Sequence, residues 1–94
     1  SDHVIEQRNR YNARKEILIP ALHSAGFTVD FSDAGLYLWA TRNEDCWESV
    51  ASLAKLGILA TPGIFYGEKG ARHIRIAMTA SDAQIADAVQ RLKA

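Results

Sequence analysis

Arg75 stands at the centre of the string His-Ile-Arg-Ile-Ala-Met-Thr at 73–79. Successive side chains leave opposite faces of a strand, so Ile74, Ile76 and Met78 share one face. Arg75 takes the other, with His73 and Thr79 beside it. A guanidinium so placed presents a planar fork of N–H donors that matches a carboxylate. Spacing by itself favours the plainer reading of a surface arginine paired with a neighbouring acid.

Other chemistry-bearing residues carry less. The loop 63–70 has glycines at 63, 67 and 70, but it lacks the Gly-Lys-Ser/Thr ending of a phosphate cradle and leads into a strand rather than a helix. Its glycines suit a tight connection, with Phe65 and Tyr66 either packed beneath it or lining a pocket. His3, His23 and His73 have no second ligand at metal spacing, so no metal site is expected. Cys46 is the single cysteine, which rules out an intrachain disulfide and fits a reducing cytoplasm. Near a helix start its thiolate could be stabilised, yet it reads best as a small half-buried residue. Trp39 and Trp47 read as core.

The elements that must position Arg75 follow from periodicity. Val4, Tyr11, Leu18 and Leu22 recur at helical spacing over 4–25, with Pro20 predicting a kink near Ile19 and Gly26 closing the helix. Phe27, Val29 and Phe31 alternate, and 35–41 is apolar on both faces, which predicts a hairpin whose second strand is covered on both sides. Asp45 and Glu48 fit a capping box for a helix whose stripe is Trp47, Val50, Leu53 and Ala54, ended by Gly57. A short strand at 58–61 stops at Pro62-Gly63, the Arg75 strand follows, and Ser81 with Gln84 caps a last helix with Ile85, Ala88, Val89 and Leu92 inside. Helix, two strands, helix, two strands, helix gives an α+β two-layer sandwich, a mostly antiparallel sheet with helices on one face. No linker divides residues 1–94, so they read as one domain.

Composition removes several classes of function. The 94 residues carry no net charge and no basic stripe, which argues against nucleic acid as a partner. No apolar run is long enough to span a membrane, so a cytoplasmic protein is expected.

Three blocks occur in order: Ala-Gly-Leu-Tyr-Leu-Trp at 34–39, Gly-Ile-Leu-Ala-Thr-Pro-Gly at 57–63 with Phe-Tyr-Gly at 65–67, and the 73–79 string before the final helix. Together with Tyr11, Arg14 and Lys15 in the leading helix, they resemble the C-terminal small domain of class I/II (fold type I) pyridoxal-phosphate-dependent aminotransferases. Within that class, the stretch 60–82 is most similar to actinobacterial N-succinyldiaminopimelate aminotransferases of lysine biosynthesis.

The resemblance implies a transferase that moves an amino group between an amino acid, N-succinyl-LL-2,6-diaminopimelate with glutamate, and a 2-oxo acid. It implies that Arg75 binds the substrate α-carboxylate, and that Gly35, Leu36, Phe65 and Tyr66 line the mouth of the site. It also implies that pyridoxal phosphate and the catalytic residues belong to a large domain outside these residues. Lys15, Lys55, Lys69 and Lys93 stand in contexts unlike that of the family's catalytic lysine, so the 94 residues alone are expected to bind no cofactor and to be inactive. The implied partners are its own large domain and, for the parent, a second copy in a homodimer. A stand-alone ferredoxin-like ligand-binding or regulatory domain, or an interaction module docking through the first helix, would also suit the element order.

Overall fold

In a computed structural model that describes residues 2–33 and 36–93, with backbone alone for 31–33, the chain opens on helix α1, Asp2–Ser24. The helix runs unbroken through Pro20 instead of restarting near Ile19. Proline removes one helical hydrogen bond, and here Leu18, Ala21 and Leu22 are buried on either side of it. The Ser24 hydroxyl also returns a hydrogen bond to the Pro20 carbonyl at 3.1 Å. Residues 2–10 are all exposed, Val4 and Ile5 at 50% and 56%. The anchored part of the helix is therefore its second half.

Gly26, at φ 93°, turns the chain out of α1 while the Phe27 N–H bonds the Leu22 carbonyl, a helix stop that buries Phe27. Strands β1, Thr28–Asp33, and β2, Tyr37–Thr41, then form an antiparallel pair with a bulge between Val29 and Phe31. Helix α2 is Cys46–Ala54, and the Asp45 carboxylate accepts the Trp47 N–H at 2.8 Å. Strand β3, Ala60–Pro62, leads into two 3₁₀ turns, Gly63–Tyr66 and Glu68–Gly70. Strand β4, His73–Ala77, and helix α3, Asp82–Lys93, complete the chain. The sheet order is β1-β2-β4-β3, every pair antiparallel.

One face of the sheet carries the core. Leu38 and Ala40 of β2 and Ile74 and Ile76 of β4 meet Leu18 and Leu22 of α1, Leu53 of α2, and Ile85, Ala88, Val89 and Leu92 of α3. The shortest dimension of the molecule, 17 Å, is that of two layers. The expected α+β sandwich is thus the fold. None of the described helices is long and apolar enough to cross a membrane.

Four expectations are corrected. β2 is covered on one face only: Tyr37, Trp39 and Thr41 are half-buried on the other. α2 turns Cys46, Ser49 and Leu53 inward, leaving Trp47 at 53% exposure and Ala54 exposed. The reason is Ser49, whose hydroxyl donates to Glu44 at 2.7 Å and so is buried with a partner. Asp45 caps through its own carboxylate, without the reciprocal Glu48 bond of a capping box. Finally, β3 begins at Ala60, because the Ile58 N–H is spent on the Leu53 carbonyl in the turn closing α2.

The turn between β2 and α2 is tied by Arg42. Its guanidinium donates to Glu44 (2.8 Å), the Ala25 carbonyl (3.2 Å) and the Ser52 hydroxyl (3.2 Å), and lies 4.4 Å from the Phe27 ring centroid. The Ser49 hydrogen bond holds the Glu44 carboxyl below its ordinary 4.5, helped by the hydrogen bond and charge of Arg42 and opposed by partial burial. A carboxylate whose pKa is lowered by folding adds stability that is complete above the unfolded value and lost as pH falls through the folded one. Glu44→Gln should therefore melt lower than wild type at neutral pH, by about 1 kcal/mol. The gap should close as pH is stepped down below 4.5. A gap that does not change with pH in thermal melts would remove Glu44 as its source.

Candidate active site

The helix-free face of the sheet is built by alternation. Ile74 and Ile76 go to the core, so Arg75 stands on the open face, in register with Trp39 of β2 on one side and Thr61 of β3 on the other. Its guanidinium carbon lies 4.0 Å from the Tyr37 ring centroid and 4.4 Å from that of Tyr66. Two aromatic rings thus hold the cation, each contact worth about 0.5–2 kcal/mol depending on desolvation. Among the residues whose side chains are described, no carboxylate pairs with Arg75 within 4.0 Å. An aromatic face does not take up N–H donors as a carboxylate does, so a cation held this way can still offer them to a ligand. A cavity of about 180 Å³ adjoins it, lined by Tyr37, Leu59, Ala60, Thr61, Arg75 and Ala77.

Tyr66 is brought there by the 63–70 loop. A Cβ placed on Gly70 would lie 2.1 Å from the Gly63 carbonyl oxygen, and one on Gly63 would lie 2.4 Å from the Gly70 oxygen and 2.6 Å from that of His73. The two ends of the loop therefore touch backbone to backbone, a closeness available only to glycine. Tyr66 then packs edge-on against Trp39 at 5.2 Å.

Of the expected site residues, Arg75 and Tyr66 meet. Phe65 turns away, 64% exposed, and packs edge-on against Trp47 at 5.6 Å. Leu36 precedes β2, where its carbonyl accepts the Met78 N–H at 2.7 Å, and it does not line the cavity beside Arg75. Gly35 lies outside the described residues. His73 shares the face of Arg75 and bonds Asp30, its Nε2 lying 2.5 Å from the carboxylate. Thr79 lies in the turn beyond β4, exposed. Tyr37, Trp39, Thr61 and Asp30 were not among the expected site residues. Two-residue alternation through 37–41 is the signal that finds Tyr37 and Trp39. Among the described residues no group of three His, Cys, Asp or Glu could hold a metal ion.

The arrangement suits a carboxylate better than it suits pyridoxal phosphate. The cavity beside Arg75 has no lysine and no acid in its lining. Lys15 is buried on α1, Lys55 and Lys93 are exposed at helix ends, and Lys69 is exposed in the loop. A Schiff-base lysine, a phosphate cradle and an acid for the pyridine nitrogen are what the cofactor requires.

The family model described as aminotransferase class I and II matches residues 1–92. The chain belongs to the class I and II aminotransferases. It is 60% identical over 90 residues to a protein named probable aminotransferase Rv1178 of Mycobacterium tuberculosis, covering 96% of this chain and 22% of that protein. It is 56% identical over 90 residues to the 4-dedimethylamino-4-oxo-anhydrotetracycline transaminase OxyQ of Streptomyces rimosus, covering 96% of the chain and 25% of the relative. Among solved structures, N-succinyldiaminopimelate aminotransferase from Mycobacterium tuberculosis superposes with a TM-score of 0.81 at 26% identity, over 99% of this chain and 26% of that one. The chain thus spans about a quarter of the length of these aminotransferases.

Proposed function

We propose that residues 1–94 are the C-terminal small domain of a pyridoxal-phosphate-dependent aminotransferase, and that Arg75 binds the α-carboxylate of the substrate. The observation that carries this is a guanidinium carbon 4.0 Å and 4.4 Å from the ring centroids of Tyr37 and Tyr66, with no acid pairing with it among the residues whose side chains are described. A large domain, in a homodimeric parent, supplies the cofactor and its lysine, and covers Val4 and Ile5 of the exposed half of α1. The cofactor provides the electron sink for moving an amino group between an amino acid and a 2-oxo acid. The residues of this chain would hold the substrate in a fixed orientation relative to the cofactor.

For the substrate we favour N-succinyl-LL-2,6-diaminopimelate with glutamate, in lysine biosynthesis, supported by the fold shared with the solved N-succinyldiaminopimelate enzyme. The higher identity to OxyQ supports a second reading, transfer to a bulky cyclic ketone. A panel run on the full-length enzyme separates them. Rapid glutamate formation from N-succinyl-LL-2,6-diaminopimelate and 2-oxoglutarate is the expected result. Turnover of a polycyclic ketone in its place selects the second reading, and no transamination of any amino acid overturns both.

A further inference from the structure

The bulge in β1 leaves Asp30 without a partner on β2. Bulges re-aim side chains, and this one sends the Asp30 carboxylate over the open face to His73 on β4, two strands away, where it meets Nε2 at 2.5 Å. Neighbouring strands lie about 4.8 Å apart, so the contact bridges roughly twice that span. The register pairs Thr41 with His73 and Trp39 with Phe31, so the bridge crosses β2 between Trp39 and Thr41. Thr41 is itself tied, its hydroxyl donating to the Arg72 carbonyl at 2.5 Å.

Two further observations say that this bridge does more than decorate a surface. The other imidazole nitrogen, Nδ1, is buried with no hydrogen-bond partner among the described residues. An unsatisfied buried nitrogen opposes that placement of the ring, so the Asp30 contact is what favours it. A cavity of about 270 Å³ also adjoins the ring pair, lined by Trp39, Gly63, Tyr66, Lys69, Gly70 and His73. Rings bordering empty space have room to turn, and Tyr66 is one wall of the Arg75 stack.

We propose that Asp30 and His73 form a positioning pair that braces Trp39 and, through its edge-on contact, Tyr66, so that the Arg75 fork is held in one orientation. The proposal rests on the carboxylate role of Arg75. The pair touches neither substrate nor cofactor; it acts through the aromatic wall.

Steady-state kinetics of the full-length enzyme test it, with Asp30→Asn, His73→Ala, His73→Gln and Arg75→Ala compared alongside thermal melts. His73→Ala and Asp30→Asn are expected to raise KM for the amino-acid substrate roughly 3- to 30-fold, with kcat within about twofold of wild type. His73→Gln, which keeps an N–H donor within reach of Asp30, should recover most of the loss. The double variant Asp30→Asn with His73→Ala should be no worse than His73→Ala alone, since removing the ring already removes the contact that Asp30 makes. Unchanged KM in folded Asp30→Asn and His73→Ala, with Arg75→Ala crippled, overturns the brace and leaves the carboxylate reading standing. Normal kinetics in Arg75→Ala overturns the carboxylate reading and the brace with it. Equal losses in His73→Ala and His73→Gln, tracking a lowered melting temperature, would make the pair merely structural and also overturn the proposal.

Discussion

Arg75→Ala should lower kcat/KM of the full-length enzyme by roughly 10²–10⁴-fold while the domain stays folded. The fold is spared because the neighbours, not Arg75, fill the core: Ile74, Ile76 and Met78 are 0–2% exposed, whereas Arg75 is on the open face. Losing the stacks on Tyr37 and Tyr66 should cost stability only modestly, about 1 kcal/mol. On the proposed carboxylate role, the kinetic cost would come from two charge-assisted hydrogen bonds, about 1.5–3 kcal/mol each. Lysine should restore only part of the rate. An ammonium has no flat face to lie between two rings and no fork to match two oxygens. Transamination by wild type and both variants, with melts alongside, measures this. A folded Arg75→Ala enzyme of near-normal kcat/KM would mean that another group holds the carboxylate.

The second large effect should come from Gly70→Ala, one methyl added outside the lining of the cavity beside Arg75. Its Cβ would lie 2.1 Å from the Gly63 carbonyl oxygen and 2.4 Å from the carbon, both backbone atoms with no rotamer to yield. Forcing atoms into a packed contact costs about 1–3 kcal/mol. The loop carrying Phe65 and Tyr66 is exposed, so it can open locally and cap that cost. Opening separates Gly63 from Gly70 and takes Tyr66 off Arg75. A small drop in melting temperature should therefore accompany a rise of roughly tenfold in KM, the equivalent of 1.4 kcal/mol. Wild-type KM and melting in Gly70→Ala would show that the two glycines need not touch.

Much of this was legible in the sequence where the controlling interactions are local. Ser81 and Gln84 form both bonds of their capping box, Ser81 N–H to Gln84 Oε1 at 2.9 Å and Gln84 N–H to the Ser81 hydroxyl at 3.2 Å. Alternation alone put Arg75 opposite Ile74 and Ile76. What escaped is set by partners distant in the chain. Ser49 looks like a surface residue until Glu44 is seen to accept its hydroxyl, and that bond fixes which side of α2 faces inward. Tyr37 and Trp39 look like core because they are apolar, yet on the open face Tyr37 lies against the Arg75 cation and Trp39 packs against Tyr66. Asp30 gains its place from a bulge, a property of how two strands pair rather than of either strand. Arg14 likewise joins α1 to the Met78 carbonyl at 2.7 Å and to Asp82 at 2.8 Å, contacts spanning more than sixty residues.

The two edges of the sheet have a consequence for how such a domain behaves on its own. A strand with free N–H and C=O groups along its outer side is a template for a foreign strand, and an open four-stranded sheet has two of them. Here one edge is β1, kinked by its bulge with the charged Asp30 at the irregular position. The other is β3, three residues long and ending in Pro62, which has no N–H to give. Neither offers the long, flat, apolar rim on which fibrils and domain-swapped ribbons grow. Self-association of the separated domain should therefore run through side chains such as Trp47 and Phe65, as a reversible and detergent-sensitive stickiness, rather than through sheet extension into amyloid.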